Sequence, residues 1–308
     1  MALITLDVNQ VLDQGFEVGS RLAKTVFNAK KKDGTPVVLK AGSNTPLHNL
    51  LVNNERDVFN SIPPHPNICR PFDYFIVKVI SGDIPVLAFP YIDGKGLDEA
   101  VSSFYCDKDG DVKLFNVLSG GLAGLKHIHN NGYLHLDLKP QNIMVDKSGA
   151  GILIDLGGSR RENGDCPEEF TKLSYGTLDY LPPEMVSQKG ISRKSDVYQF
   201  GATILSCLCG QTPYPLMGIG DCILPAYNHP VDLQEVCPSL REYNALRDLL
   251  ERARSKKPEQ RPSVDDISAL VNDHAEYFKA HPEHIRLFPK NSYVRSQLED
   301  YDEEVDIG

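Results

Sequence analysis

Residues 135–142 read HLDLKPQN: His135, Leu136, Asp137, Leu138, Lys139, Pro140, Gln141 and Asn142. A carboxylate, an ammonium and an amide fall within six residues, Asp137 to Asn142, hemmed in by leucines and a proline. The surrounding stretches, GYLHLDLKPQNIMV and GAGILIDLGG, read as short apolar strands flanking a loop. Taken singly, each polar residue is most simply a solvated surface group. Their meaning depends on what the rest of the chain places around them.

Thirteen residues after Asn142 comes DLG (Asp155, Leu156, Gly157), and far upstream stands VVLK, ending at Lys40. PPE (Pro182, Pro183, Glu184) follows downstream. Glu55 lies ten residues before HPNI (His65 to Ile68), within LLVNNERDVFNSI. The apolar spacing of that stretch predicts a short helix, stopped by Pro63 and Pro64. Together these elements resemble the signature set of the eukaryotic-type protein kinases. The resemblance runs from about residue 12 to about residue 275. It implies an α+β, bilobal protein kinase-like fold, with a small β-rich N-lobe at about 12–92 and a larger, mainly helical C-lobe at about 93–275. Residues 276–308 are then a C-terminal extension.

Phosphoryl transfer demands positioning and charge neutralisation more than covalent chemistry. By the resemblance, Asp137 orients the attacking hydroxyl and takes its proton, while Lys139 touches the γ-phosphate of ATP. Asn142 and Asp155 offer the hard oxygens that Mg2+ requires. Lys40 holds the α- and β-phosphates and is fixed by Glu55. At the adenine site Phe89 is the gatekeeper, Pro90 supplies a carbonyl and Ile92 an N–H, and Val26 and Met144 sandwich the base. Asp196 holds the catalytic-loop backbone, Glu184 pairs with Arg261, and His135, Leu156 and Phe59 stack as a hydrophobic spine.

Lys139, two residues after Asp137, and Thr177 in YGTLDYLPPEM imply a Ser/Thr rather than a Tyr kinase. That stretch is locally similar to Aurora-type kinases, whose phosphoacceptor position is Leu173 here, and no subfamily is assigned. The chain also departs from the family pattern. The expected G-x-G-x-x-G falls on GSRLAK, where Gly19 alone survives and Arg21 and Lys24 replace the others. Glycine lets backbone approach phosphates without Cβ clashes, so weakened nucleotide affinity is one consequence. Val38 stands where the motif has Ala and crowds the adenine roof. Leu136 replaces the arginine that precedes the catalytic Asp in many protein kinases. The reading is therefore a non-RD kinase that needs no phosphate on its activation segment, although Ser159, Thr171, Ser174, Tyr175 and Thr177 carry hydroxyls there. Two other readings compete. A pseudokinase acting as a binding module is favoured by the degraded loop and opposed by intact Lys40, Asp137, Asn142 and Asp155. A kinase-fold enzyme acting on a small molecule is opposed by GTLDYLPPE and Asp196, which build a platform for a protein substrate.

The totals agree with an ordinary globular protein: 308 residues, 41% hydrophobic and 24% charged. A net charge of −10 argues against a nucleic-acid partner and an anionic membrane surface. The start, MALITLDVNQVLDQG, lacks the pattern of a secretory signal, and no apolar run is long enough to span a membrane. Seven cysteines without a C-x-x-C pair predict free thiols in a reducing compartment, with Cys207 and Cys209 in a buried helix. The expected location is cytoplasmic and the expected partner a protein substrate.

The remaining elements follow from local pattern. KKDG signals a hairpin turn, and YFIVKVI and IPVLAFPYI predict two more strands. Leu114, Val117, Leu118, Leu122, Leu125 and Ile128 form one helical apolar face, interrupted by Gly120 and Gly121. SDVYQFGATILSCLCG predicts a buried helix, and LREYNALRDLLERAR and SVDDISALVNDHAEYFKA two further helices. DKDGDV begins like a calcium loop but has Val112 and Leu118 at the decisive positions, so it reads as a solvated turn. The acidic tail QLEDYDEEVDIG predicts disorder.

Overall fold

The computed structural model describes residues 5–79, 82–164, 180–187, 190–210, 233 and 237–288. β1 (Phe16–Ala23) and β2 (Val26–Lys31) form a hairpin with irregular register around Arg21. β3 (Pro36–Ala41) returns beside β2 after a turn in which Gly34 takes φ 85, a conformation glycine adopts without Cβ strain. α1 (Pro46–Ser61) opens on a proline, which lacks only an N–H that has no helical partner there. β4 (Asp73–Val79) and β5 (Gly82–Pro90) complete a five-stranded antiparallel sheet, ordered β1-β2-β3-β5-β4. Its period-2 alternation buries Val18, Phe27, Val37, Leu39, Phe75, Val77, Ile84 and Val86 in one cluster. Leu87 and Phe89 belong instead to the large core that also holds Val52, Val58 and Phe59 of α1.

Beyond β5 the chain becomes mainly helical. β6 (Gly94–Gly96) leads into α2 (Leu97–Cys106) and α3 (Gly110–Asn130). The expected face of α3 is fully buried. A Cβ on Gly120 would stand 2.5 Å from the Gly151 carbonyl oxygen, so the packed neighbour requires glycine there. β7 (Tyr133–Leu134) pairs with β10 (Arg160–Arg161), and β8 (Ile143–Asp146) lies between β6 and β9 (Gly151–Leu153). α4 (Pro183–Ser187) precedes α5 (Arg193–Cys209), the buried helix. A reciprocal Ser192–Ser195 capping box starts α5, and Gly210 ends it at φ 69. Cys207 is buried and Cys209 half-buried, both as free thiols.

α6 (Asn244–Ala253) and α7 (Val264–Ala280) complete the elements. α6 is shorter than the helix expected over LREYNALRDLLERAR, because residues Pro238–Glu242 form a 3-10 turn instead. Tyr243 separates the two at φ −118, ψ 64, with its hydroxyl donating to the Ile285 carbonyl at 2.5 Å. Among the described residues no helix is long and apolar enough to cross a membrane. DKDGDV is a turn only over its first half: residues 107–109 join α2 to α3, with Lys113 paired to Asp107 at 2.6 Å, whereas residues 110–112 open α3 and Asp111 is fully buried rather than solvated.

The packed chain continues past residue 275. Leu287 and Phe288 join the main core. Arg286 donates to the Phe104 and Tyr105 carbonyls (3.0 and 3.3 Å) and meets Asp111 at 3.4 Å, tying the end of α2 to the start of α3. His284 Nε2 lies 2.9 Å from the same carboxylate. Arg286→Ala is expected to lower stability by about 1–2 kcal/mol, since it strips charged hydrogen bonds from two helix-end carbonyls. Removal of residues 290–308 should leave stability and activity on a generic substrate unchanged, as their composition predicts. Urea unfolding of the three proteins checks both statements, and a cooperative loss on truncation would contradict the second.

Candidate active site

Each element delivers one group to the cleft between sheet and helices. Lys40 projects from β3 and meets Glu55 Oε2 of α1 and Asp155 Oδ1, each at 2.6 Å. Glu55 is fully buried, and its Oε1 accepts the Leu156 N–H at 2.8 Å, so one carboxylate ties α1 to both the lysine and DLG. Burial opposes the charge on Lys40, but Asp155 and Glu55 outweigh it and hold its pKa above the ordinary lysine value. Burial also works against the Asp155 carboxylate. The Lys40 charge and hydrogen bond and the Gly157 N–H prevail, lowering its pKa to about 2. For Glu55 burial dominates and raises the pKa, with Lys40 offsetting only part.

The loop 135–142 carries the second group. Lys139 Nζ donates to both Asp137 oxygens, at 3.1 and 3.0 Å. Asn142 Nδ2 donates to the Asp137 carbonyl (2.7 Å) and to its Oδ2 (2.8 Å). Asp137 is thus oriented from two sides. Asp196 on α5 accepts the N–H groups of His135 (2.9 Å) and Leu136 (2.8 Å), as expected, and also binds His129 Nε2 at 2.8 Å. Burial works against this carboxylate too, yet His129 and the backbone donors keep its pKa below the ordinary value. Glu184 and Arg261 form the expected fork, at 2.6 and 2.9 Å. His135, Leu156 and Phe59 are all buried.

A cavity of about 470 Å³ lies beside Lys40. Val26, Val38, Lys40, Glu55, Phe89, Pro90, Ile92, Met144 and Asp155 are in its wall. Gly19 is not; Leu22 takes that side of the wall. The β1–β2 pairing is irregular in this stretch, with register shifts between Val18 and Arg21 and between Arg21 and Ala23. Sequence reading also missed Cys69, Asp98 and Gln141 in the wall and Gln199 behind the loop. Only the three-dimensional packing assigns those roles. Leu173, Thr171, Ser174, Tyr175 and Thr177 lie outside the described residues.

The donor set fits a hard divalent cation. Asn142 spends its Nδ2 on Asp137, which leaves the amide oxygen to offer. Asp155 spends Oδ1 on Lys40 and the Gly157 N–H, while its side chain keeps 40% exposure. Two such oxygens suit Mg2+, which takes its remaining ligands from water and substrate phosphates.

Comparison with known proteins agrees with this geometry. The family described as protein kinase domain matches residues 15–272. The chain is 29% identical over 204 residues to the serine/threonine-protein kinase PknB of Mycobacterium leprae, covering 64% of this chain and 31% of the relative. It is 29% identical over 224 residues to the serine/threonine-protein kinase pkn2 of Myxococcus xanthus, covering 68% and 25%. A putative cysteine-rich receptor-like protein kinase 31 of Arabidopsis thaliana is 32% identical over 151 residues, covering 48% and 22%. The matched part of the chain thus spans about a third or less of the length of these curated relatives. With the family match over most of its length and the charged groups gathered at one cleft, the chain belongs to the protein kinase family.

Proposed function

We propose that this chain is a cytoplasmic Ser/Thr protein kinase of the non-RD type, which transfers the γ-phosphate of ATP to protein hydroxyls. The observation that carries the reading is Lys40, bonded at once to Glu55 and Asp155 in the wall of a cavity beside the Asp137 loop. In this role Asp137 accepts the proton of the attacking hydroxyl. A bond forms from that oxygen to the γ-phosphorus as the bond to the β–γ bridging oxygen breaks. Lys139 and Lys40 hold phosphate oxygens, while Pro90 and Ile92 offer backbone groups to adenine. Mg2+, when held by Asn142 and Asp155, neutralises charge on the phosphates. The test is labelled ATP with Mg2+ and a panel of proteins. Wild type should label Ser or Thr, and Asp137→Ala should fall to background; equal labelling by both would remove Asp137 from the reaction. Asp155→Ala should lose Mg2+-dependent ATP binding, and a magnesium titration matching wild type would remove Asp155 from the site.

Activation without phosphate is supported by the packing of Leu136. Its side chain is buried with Leu134, Leu181 and Met185, with Ile191 against them. An apolar contact therefore stands where a phosphate-dependent cation would otherwise be. Phosphatase-treated protein should show no lag, and Thr171→Ala with Ser174→Ala should change initial rates little. A lag that vanishes on autophosphorylation would contradict this.

A further inference from the structure

His135, Leu136 and Leu138 are buried around the half-buried Asp137, and a buried peptide group needs a partner. The His135 and Leu136 N–H groups end on Asp196. The Asp137 N–H reaches His135 Nδ1 at 3.3 Å, and the Asp137 carbonyl accepts from Asn142. Ser159 Oγ donates to the His135 carbonyl at 3.3 Å. Two further groups, the Leu136 carbonyl and the Leu138 N–H, lie on either side of Asp137. Both are taken by one side chain: Gln199 Oε1 accepts from Leu138 at 3.1 Å and Gln199 Nε2 donates to Leu136 at 3.2 Å.

Leu136 has φ 63, a left-handed conformation that costs a leucine roughly 1–3 kcal/mol. Such strain persists only where surroundings over-determine it. Asp196 and Gln199 lie three residues apart on α5, on one helical face. Gln199 is 2% exposed, and its third contact, Met185 Sδ at 3.7 Å, belongs to the apolar cluster that holds Leu136. An amide at this depth is costly unless bonded. Its donor and acceptor ends both go to the peptide groups that bracket Asp137.

We propose that Gln199 is a positioning residue for phosphoryl transfer, a bridge that fixes the backbone on both sides of Asp137 and so aims its carboxylate. The proposal rests on Asp137 being the base, as in the reading above. Without the bridge, Leu136 can relax from its strained φ and the Asp137 carboxylate loses its aim. A misplacement on the scale of an ångström costs about 100-fold in rate. Gln199 does not line the nucleotide cavity, so ATP affinity is untouched.

The experiment uses the full chain and the variants Gln199→Ala, Gln199→Met and Gln199→Glu, with hydrogen exchange at the Leu138 amide and steady-state kinetics. Gln199→Met keeps the volume and guards against simple collapse. Expected for Ala and Met are faster Leu138 exchange, a kcat fall of about 10- to 100-fold and an unchanged KM for ATP. In Gln199→Glu the introduced carboxyl accepts from Leu138 but donates to Leu136 only when protonated, so its kcat relative to wild type should rise as pH falls. Unchanged exchange at Leu138 in both Ala and Met, or an unchanged kcat with lowered thermal stability, would overturn the proposal. If wild type transfers no phosphate, the kinase reading fails instead, and the exchange measurement alone decides whether Gln199 holds the loop.

Discussion

Lys40→Met is expected to lower phosphoryl transfer by about 100- to 1,000-fold, the scale of losing one preorganised electrostatic donor. The variant should remain folded in mild acid and weaken as pH rises. The reason lies in the Glu55 carboxylate, which is fully buried and whose hydrogen-bonded partners are Lys40 and the Leu156 N–H. Burial already raises the Glu55 pKa above the ordinary 4.5, and Lys40 is what restrains it. With that cation gone, burial acts on Glu55 with less opposition, and the folded state favours the protonated acid more strongly. A carboxyl whose folded pKa exceeds its unfolded value stabilises the fold below the unfolded pKa, and that contribution disappears as pH rises through the folded pKa. Urea unfolding from pH 5 to pH 8 should therefore show a larger loss with rising pH for Lys40→Met than for wild type. Parallel curves would mean that Glu55 is not governed by Lys40. Full activity would remove Lys40 from the phosphate site.

How much of this was legible beforehand depended on the range of the interaction. Motifs whose residues act through a fixed local frame were readable. Asp137, Lys139 and Asn142 meet within one loop, and Lys40, Glu55 and Asp155 converge from three elements in the arrangement the kinase resemblance implies. Periodicity fixed the face of α3 and the strands of the sheet, because burial on one side leaves a repeat in the chain. Gln199 left no such trace. A glutamine in a buried helix has no period, and its partners lie 61 and 63 residues away. The Asp111–His284–Arg286 tie was equally silent, since it joins residues more than 170 positions apart. Motif counting places Gly19 at the phosphates, and the residue lies outside the wall of the cavity beside Lys40, which Leu22 joins. The helix predicted over residues 240–254 is shorter than its pattern because a local contact intervenes. Apolar spacing continues through Tyr243, but its hydroxyl bonds the Ile285 carbonyl and its backbone leaves the helical region.

Arg261→Ala is expected to destabilise the fold by about 3–5 kcal/mol, the cost of removing one partner of a buried ion pair. Arg261 is 2% exposed and every arm of its guanidinium is engaged. Nη1 and Nη2 grip the two oxygens of Glu184, Nη1 also donates to the Lys194 carbonyl at 2.8 Å, and Nε donates to the Ser255 carbonyl at 2.8 Å. The Tyr198 ring lies under the guanidinium, with 4.9 Å to its centroid. Alanine would leave Glu184 with Ser195 Oγ, at 2.8 Å, as its remaining described side-chain partner, and would strip the Ser255 carbonyl of this donor and leave an empty volume. The pair as a whole is worth much less than this, because desolvating both charges consumes most of their attraction. The double variant Arg261→Met with Glu184→Gln should therefore recover a large part of the loss, since no unpaired charge remains. Lysine should not substitute, because a single ammonium cannot reproduce the planar fork. Chemical denaturation of the three variants separates these contributions. Equal losses for Arg261→Ala and the double variant would show that packing, and not the stranded carboxylate, sets the cost. The site should respond as well. Glu184 accepts from Ser195, which neighbours Asp196 at the start of α5, so loosening this fork should release the helix end that holds the His135 and Leu136 amides. Activity in Arg261→Ala should then fall further than the unfolded fraction alone accounts for.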